Sequence, residues 1–570
     1  MGTHWGLRLF LATAVQLRHK VIKGDIHMFY PSEDAKQKPK CIRLPEYVRE
    51  AHPGMEGKVL GNLYGDILAS EQAVTMFREF LVNGFANNET APHPDNDPDF
   101  NARASLWTCV YEANEAAYVA FFQLPDMPPV FAQLWTHSDD WLMSADRDCA
   151  SHSASFALDH QVRVIRLKYV VPALWNLDDG PIKCMGANIC FSDDKRSITM
   201  CLSDWARTAC HDVFDCEPEQ LKPPTSPIAG DAKLKRTDAP AFLPFPDAER
   251  RAIQSEFGKY GSFASVIGKG NFMQELCEPT LACAMSLVAP FASDPSKQAW
   301  MMLLRAMRWG FHRHAVLKKG IHFSSPTFNW DKLRLRVSSD YAKPTQDQLE
   351  EYKITGDVKV LLCRFAFSVD MNGPLWWGSH RQKQLPSGPI EGSSEGELYA
   401  YHYAIRRAGT ILKAMSYMDH KLRPDVSPPN VHEGSPVLVE SDNTGKMRFI
   451  AAPIPNMNLH ATMIKVGILR AMFVNGIFRP HPTPGTIVVA NAITKGGGGK
   501  QLIKQLDMLC GYDNWASMRD VTSTAKPFRC FHCWTDALTV TITKTRTRYN
   551  SGMPNVVGVG VLLAHRLVVS

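Results

Sequence analysis

The sequence predicts an α+β protein built from more than one domain, and three observations carry that expectation. The chain has 570 residues, too many for one hydrophobic core, so roughly two to four domains are expected. The stretch LWTHSDDWLM, Leu134–Met143, sets Asp139 and Asp140 side by side at the tip of an apolar hairpin. From about residue 330 onward, strand-like and helix-like segments alternate, with acids at strand ends, which is the pattern of an α/β domain carrying a carboxylate site.

Composition narrows the function classes. Hydrophobic content of 45% and charged content of 21% are those of a folded chain, not of a disordered or low-complexity one. A net charge of +6 permits a nucleic-acid partner without demanding one. The 14 cysteines follow no regular spacing, which reads as reduced thiols in an intracellular protein, in cytoplasm or nucleus. CFHC at Cys530–Cys533 is a lone CxxC with no second pair at a sensible distance, so no zinc site is expected. No run reaches the ~18 apolar residues of a membrane span. The opening WGLRLFLATAV is broken by Arg8 and followed by QLRHK where a cleavage site would need small residues, so a buried amphipathic helix is expected rather than a signal peptide.

The elements follow in chain order. Up to about residue 215 helical and strand-like stretches mix. EPEQLKPPTSPIAGDAKLKRTDAPAFLPFPD, rich in Pro and charge, marks a boundary or a long surface loop. Residues 250–320 read as helical, and SDPSKQAWMMLLRAMRW offers Asp294 as an N-cap with Pro295 in the first turn. KLRLRVSSDY alternates as a strand, and DVKVLLCRFAFSVDMNGPLWWGS reads as a hairpin turned at MNG. SSEGELYAYHYAIRRAGTILKAM is a helix carrying Glu395 and Glu397 at its start. SPVLVESDN is a strand ending in Asp442, and ATMIKVGILRAMFVNG is a helix. KGGGGK lacks the Ser or Thr of a phosphate loop and reads as a flexible linker, and TKTRTRYN reads as a solvated edge strand.

Adjacent carboxylates repel, and burying them costs several kcal/mol unless a positive charge compensates. Divalent metal would compensate: two Mg²⁺ ions roughly 4 Å apart draw several carboxylate oxygens to the place where phosphates enter. A third acid from a neighbouring strand is then needed, and HKVIKGDIHMFYP offers Asp25, followed by Tyr30.

In this order of parts the chain resembles the reverse transcriptase and ribonuclease H portion of copia-type retrotransposon polyproteins. LRLFLATAVQLRHKVIKGDIHMFYP looks like the family's R-x-[LF]-L-A-x-A helix leading to its first catalytic Asp. VLGNLYGDILASEQAVTMFREFLVNGF resembles its L-Y-G-x-x-x-[AS] helix, and LWTHSDDWLM stands where the family has Y-V-D-D. YGSFASVIGKGNFMQELCEPTLACAMSLVAPFASDPSKQAWMMLLRAMRW is similar to its connection segment. GPLWWGSHRQKQLPSGPIEGSSEGELYAYHYA resembles its S-W-x-S-K-x-Q…S-S-T-E-A-E-Y-x-A stretch, VLVESDNTGKM its D-N-x-x-A-I, and VVANAITKG its A-D-x-L-T-K. The resemblance runs collinearly over about residues 5–500.

The resemblance implies a reverse-transcriptase palm over 1–215, an antiparallel sheet with helices. It implies a helical thumb or connection region over 216–329, a ribonuclease H-like α/β domain over 330–500, and an unassigned tail over 501–570. The implied activity is RNA-directed DNA polymerisation with ribonuclease H, by two-metal phosphoryl transfer using Mg²⁺ or Mn²⁺. Its partners would be an RNA template, a DNA primer, dNTPs and an RNA–DNA hybrid. Asp25, Asp139 and Asp140 would bind the polymerase metals, and Tyr30 would stand under the sugar and reject a 2′-hydroxyl. Glu397 and Asp442 match two ribonuclease H acids, and Asp340 would join them as a metal ligand. The helix LLRAMRWGFHRHAVLKKG, through Arg305, Arg308, Arg313, Lys318 and Lys319, is the expected contact to a template backbone.

Departures from the family pattern carry weight. His137 and Ser138 replace the Tyr and Val before the two aspartates, and Leu68 replaces a Gln beside the incoming nucleotide. Ser338 stands at the first ribonuclease H acid, with Asp340 on the same strand face as its substitute. Asn491 holds the fourth acid position and Ile464 replaces a family histidine. Met1 falls just before the palm helix, so the family's fingers region is not expected here, nor an upstream integrase or protease segment. The alternative function is therefore a catalytically decayed retroelement remnant that at most binds nucleic acid.

Overall fold

The computed structural model describes residues 4–27, 41–42, 57–58, 67–83, 107–112, 116–122, 130–146, 162–163, 165–166, 169–229, 234–325, 335–342, 346–355, 364–381, 393–422, 437–442, 450, 463–474, 477–494 and 500–512. The chain has mixed helices and sheets, as the α+β expectation requires. It divides into two compact units, one of Met1–Ile198 with Ser324–Trp330 and Tyr417–Val426, the other of Thr199–Phe323, Asp331–Ser416 and Ser427–Ser570. The first break between units falls after Ile198, and the helical region shares a unit with the second sheet.

In the first unit, all residues of α1 (Trp5–Gln16) are buried, Arg8, Thr13 and Gln16 among them. It is an enclosed helix rather than the amphipathic one its sequence suggests. Its Thr13 hydroxyl donates to the Leu9 carbonyl at 2.7 Å, which satisfies the polar group inside the helix. Arg18, at φ 55°, turns the chain sharply into β1 (His19–Asp25). Further along come α2 (Ile67–Asn83), β2 (Thr108–Glu112), β3 (Ala116–Phe122), β4 (Val130–His137), β5 (Asp140–Asp146) and β6 (Leu174–Asn176). The strands form one sheet in the order β2-β3-β4-β5-β1-β6, each neighbour antiparallel. Alternation decides the faces. Ile22, Leu134, Trp141 and Met143 form one core with Phe77, Phe80 and Leu81 of α2. On the other face Gln133 donates to the Phe10 carbonyl of α1 at 3.0 Å, and His19 bonds Ser144 at 2.9 Å. A small antiparallel hairpin, β7 (Ile182–Cys184) and β8 (Ala187–Phe191), follows.

The second unit begins with helices α3 (Ser203–Phe214), α4 (Pro246–Phe257), α5 (Phe263–Leu276), α6 (Ala282–Val288) and α7 (Lys297–Phe311). The expected cap of α7, Asp294, is replaced by Ser296, whose hydroxyl accepts from the Ala299 N–H at 3.1 Å. Asp294 instead accepts from the Ala241 N–H at 2.8 Å and from Arg250 at 3.0 Å. A π-turn, His312–Val316, continues α7. The Pro-rich stretch before α4 is built of single 3-10 turns, Pro218–Gln220, Arg236–Asp238 and Pro240–Phe242.

The second sheet comprises β9 (Arg336–Ala342), β10 (Arg364–Asp370), β11 (Pro374–Arg381), β12 (Val437–Ser441) and β13 (Phe478–Pro482). Its order is β11-β10-β9-β12-β13, with β9, β12 and β13 parallel and the β9-β10-β11 meander antiparallel. Among the helices of this part are α8 (Gln346–Thr355), α9 (Ser393–Leu422), α10 (Met463–Val474) and α11 (Lys500–Leu509). Tyr341 and Phe365 on one face pack with Ala400 of α9. Helices and sheet share a unit because they bond directly. Trp377 of β11 donates to the Gln274 carbonyl at 2.9 Å, and Ser379 meets Ser286 of α6 at 3.2 Å.

Candidate functional site

The first unit holds Asp25, Asp139 and Asp140 at neighbouring strand ends. Asp25 closes β1 and Asp140 opens β5, and the antiparallel register makes them direct cross-strand partners. Asp139 is the second residue of the two-residue β4–β5 turn, whose ladder closes at His137 opposite Asp140. Ser138, the first turn residue, takes φ 52°, the left-handed value such hairpins require and Gly or Asn usually supply. The Ile26 N–H donates to the Asp139 carbonyl at 3.2 Å, tying the turn to the end of β1. Gly24 is needed for this approach, since a Cβ there would overlap the buried Trp141 indole opposite it.

All three acids are half-buried. Burial raises the Asp139 carboxyl above its ordinary range, and the Asp25 and Asp140 carboxylates push it further up, against the lowering pull of its own backbone N–H and of Lys23. Lys23 pairs with Asp140 at 2.7 Å, and the Met185 N–H reaches the other Asp140 oxygen at 3.4 Å. Alongside, the His137 ring stacks on Trp135 at 6.1 Å and meets His4 edge-on at 5.8 Å. Burial, with the nearby Arg8 and His137, pushes His4 down to about 3, so it is neutral at physiological pH.

A divalent cation is the group these acids fit by chemistry. They are oxygen donors, and one of them is crowded by two like charges that a cation would relieve. Among the described residues, no three His, Cys, Asp or Glu side chains converge closely enough to hold a metal ion as they stand. Tyr30 lies outside the described residues, as do the side chains of Leu68 and Ile464 and the CFHC, KGGGG and TKTRTRYN stretches.

The second unit arranges its acids differently. Ser338 lies mid-strand in β9, fully buried, and its hydroxyl accepts from the Ala490 N–H at 3.2 Å. Asp340 shares its face and is also buried. Glu440, which the motif reading passed over, stands directly opposite Ser338 on β12, buried, with Arg336 at 4.0 Å. Its signal was present in VESD, because a residue two before Asp442 on a strand shares its face. Asp442 itself is exposed past the strand end. It approaches Asn491 across Gly485: a Cβ there would stand 3.0 Å from the Asp442 carboxylate and 3.6 Å from the Asn491 amide. Glu397 is half-buried in the first turns of α9, where Gly396 packs against Tyr341 on the opposite face of β9 from Ser338.

The expected template strip is partly dismantled. Arg313 is buried, and its guanidinium bonds Glu278 at 3.2 Å and Asp507 at 3.2 Å. It is a core ion pair and does not face a nucleic acid. Arg305 bonds the Ser226 carbonyl at 3.0 Å, Arg308 lies over the Phe214 ring at 5.3 Å, and Lys319 lies over Tyr512 at 5.2 Å. Lys318 is exposed. No helix among the described residues is long and apolar enough to cross a membrane.

No protein-family model matches the chain, and comparison with curated proteins gives no match.

Proposed function

We propose that the chain is an RNA-directed DNA polymerase module of copia type, acting at Asp25, Asp139 and Asp140. One observation carries the reading: the β1–β5 register brings Asp25, more than a hundred residues upstream, opposite Asp140 and beside Asp139. The fully antiparallel sheet with a helix on each face supports the palm reading. Asp25, Asp139 and Asp140 would hold Mg²⁺ or Mn²⁺, which when bound would activate a primer hydroxyl and stabilise charge on the transferred phosphoryl group. The chain's own part is orientation. Gly24 and Trp141 set the separation of β1 and β5, and the left-handed Ser138 forms the turn that carries Asp139. Template RNA, primer DNA and dNTPs are the proposed partners, with Arg305, Arg308, Lys318 and Lys319 as the remaining backbone contacts.

For the second unit a specific observation favours the other reading, a ribonuclease H-like domain without cleavage activity. Ser338 stands where the first acid would be, and its hydroxyl is already engaged by a backbone N–H. Asn491 contributes no charge beside Asp442. Such a domain would still offer an RNA–DNA hybrid a surface. The test for the polymerase is primer extension on an RNA template with Mg²⁺, run beside Asp139→Asn. Extension that the variant loses is the expected result. Equal extension by both proteins, or none by either folded protein, would remove the polymerase reading.

A further inference from the structure

The geometry points to Lys23 as a resident cationic latch on the acid site, holding Asp140 so that a divalent cation must displace it to gather the three carboxylates. This rests on the reading of Asp25, Asp139 and Asp140 as cation ligands. Lys23 lies two residues before Asp25 on β1, so strand alternation gives both the same face. Its ammonium is 2.7 Å from one Asp140 oxygen, and the side chain is only 12% exposed. The other oxygen accepts from Met185. Both oxygens that a metal would use are therefore engaged.

The same lysine has a second seat. Trp175, on edge strand β6, is the cross-strand partner of Lys23, and its ring centroid lies 5.0 Å from the ammonium. The indole is 42% exposed. A lysine pushed off Asp140 keeps the face of this ring, where an ammonium is attracted by the π-system. The contact with Asp140 can thus break without stranding a charge in an apolar site. Cation entry and lysine release become one exchange, and the resting protein carries part of the positive charge that its acids require.

The test is a Mn²⁺ titration of the full chain followed by water-proton relaxation, on the unaltered protein, K23M, K23R and D139N, with no nucleic acid present. K23M is expected to bind Mn²⁺ about tenfold more tightly, because an attractive competitor at contact distance is gone. K23R should keep the original affinity, which a merely structural lysine would not dictate, and D139N should lose most binding. If K23M does not fold, K23Q replaces it. D139N losing Mn²⁺ while K23M binds no more tightly would overturn the latch and leave the acid site standing. Binding unchanged in D139N, or no Mn²⁺ bound by any form, would overturn both.

Discussion

The two units house carboxylates in opposite ways. In the first, Asp25, Asp139 and Asp140 stand at strand ends and in a turn, half-buried, with one lysine among them. In the second, Asp340 and Glu440 lie within strands, and Glu278 lies among the helices, all buried. A strand end lets water and incoming cations share the neutralisation of charge. A mid-strand position does not, so each acid there depends on fixed protein partners. The first arrangement suits exchange of a bound cation, and the second suits a permanent core.

Three substitutions probe that contrast, and Arg313→Ala should have the largest effect. It strips the guanidinium from Glu278, whose carboxyl burial already raises above the ordinary range, and from Asp507. Breaking such a pair typically costs about 3–5 kcal/mol, which urea denaturation of the intact chain would register. Retained stability would mean that the second unit tolerates a buried acid stripped of its guanidinium partner.

Next in size, Ser338→Asp puts a further acid beside Glu440 in the buried sheet. The expected loss is roughly 2–3 kcal/mol at neutral pH, smaller under acid conditions, since the new group is a buried carboxyl facing a like charge. Thermal unfolding at two pH values would measure it. A stable variant would show that this face admits charge after all.

The smallest effect is a gain. Asp139 has a folded-state carboxyl raised above its ordinary value, by burial first and then by its two acidic neighbours. A raised acid disfavours the folded state once it is ionised, and that penalty fades as pH falls through the folded value into the ordinary carboxylate range. Asp139→Asn should therefore stabilise metal-free protein by up to ~1 kcal/mol at neutral pH, as expected when like charges across a sheet are relieved. The gain should vanish in acid. Melting temperatures across pH, with a chelator present, would decide it.

How much of this was legible in the sequence varied with the physics involved. The β4–β5 hairpin announced itself, because two apolar runs flank a polar tip of turn length. Asp25 was offered by its place at the end of a strand-like stretch, but nothing local fixes which strand-end acid pairs with the turn, and the register supplies that. Lys23 and Glu440 were passed over although period-two alternation puts each beside an acid already singled out. Arg313 was grouped with Arg308 by sequence proximity. Five residues along a helix is about 140° of rotation, so the two could not share a face, and the π-turn shifts the later residues again. The division of the chain was hidden because Trp377–Gln274 and Ser286–Ser379 join segments about a hundred residues apart, which no local pattern reveals.

The seating of the segment after α11 has a consequence for the order of events during synthesis. Asp507 bonds Arg313 across a separation of 194 residues, the Cys510 carbonyl accepts from the His322 N–H at 2.8 Å, and the Tyr512 hydroxyl accepts from the Gly320 N–H at 2.9 Å. Until residue 512 has left the ribosome, Arg313 has only part of its counter-charge and Gly320 lacks its acceptor. A chain made from its N-terminus at roughly 5–20 residues per second therefore holds an unfinished second unit for on the order of ten seconds or more while these partners emerge. The first unit's sheet needs nothing beyond residue 176 to pair its strands. That sheet can pair as it is made, whereas the second unit must wait for its last described helix.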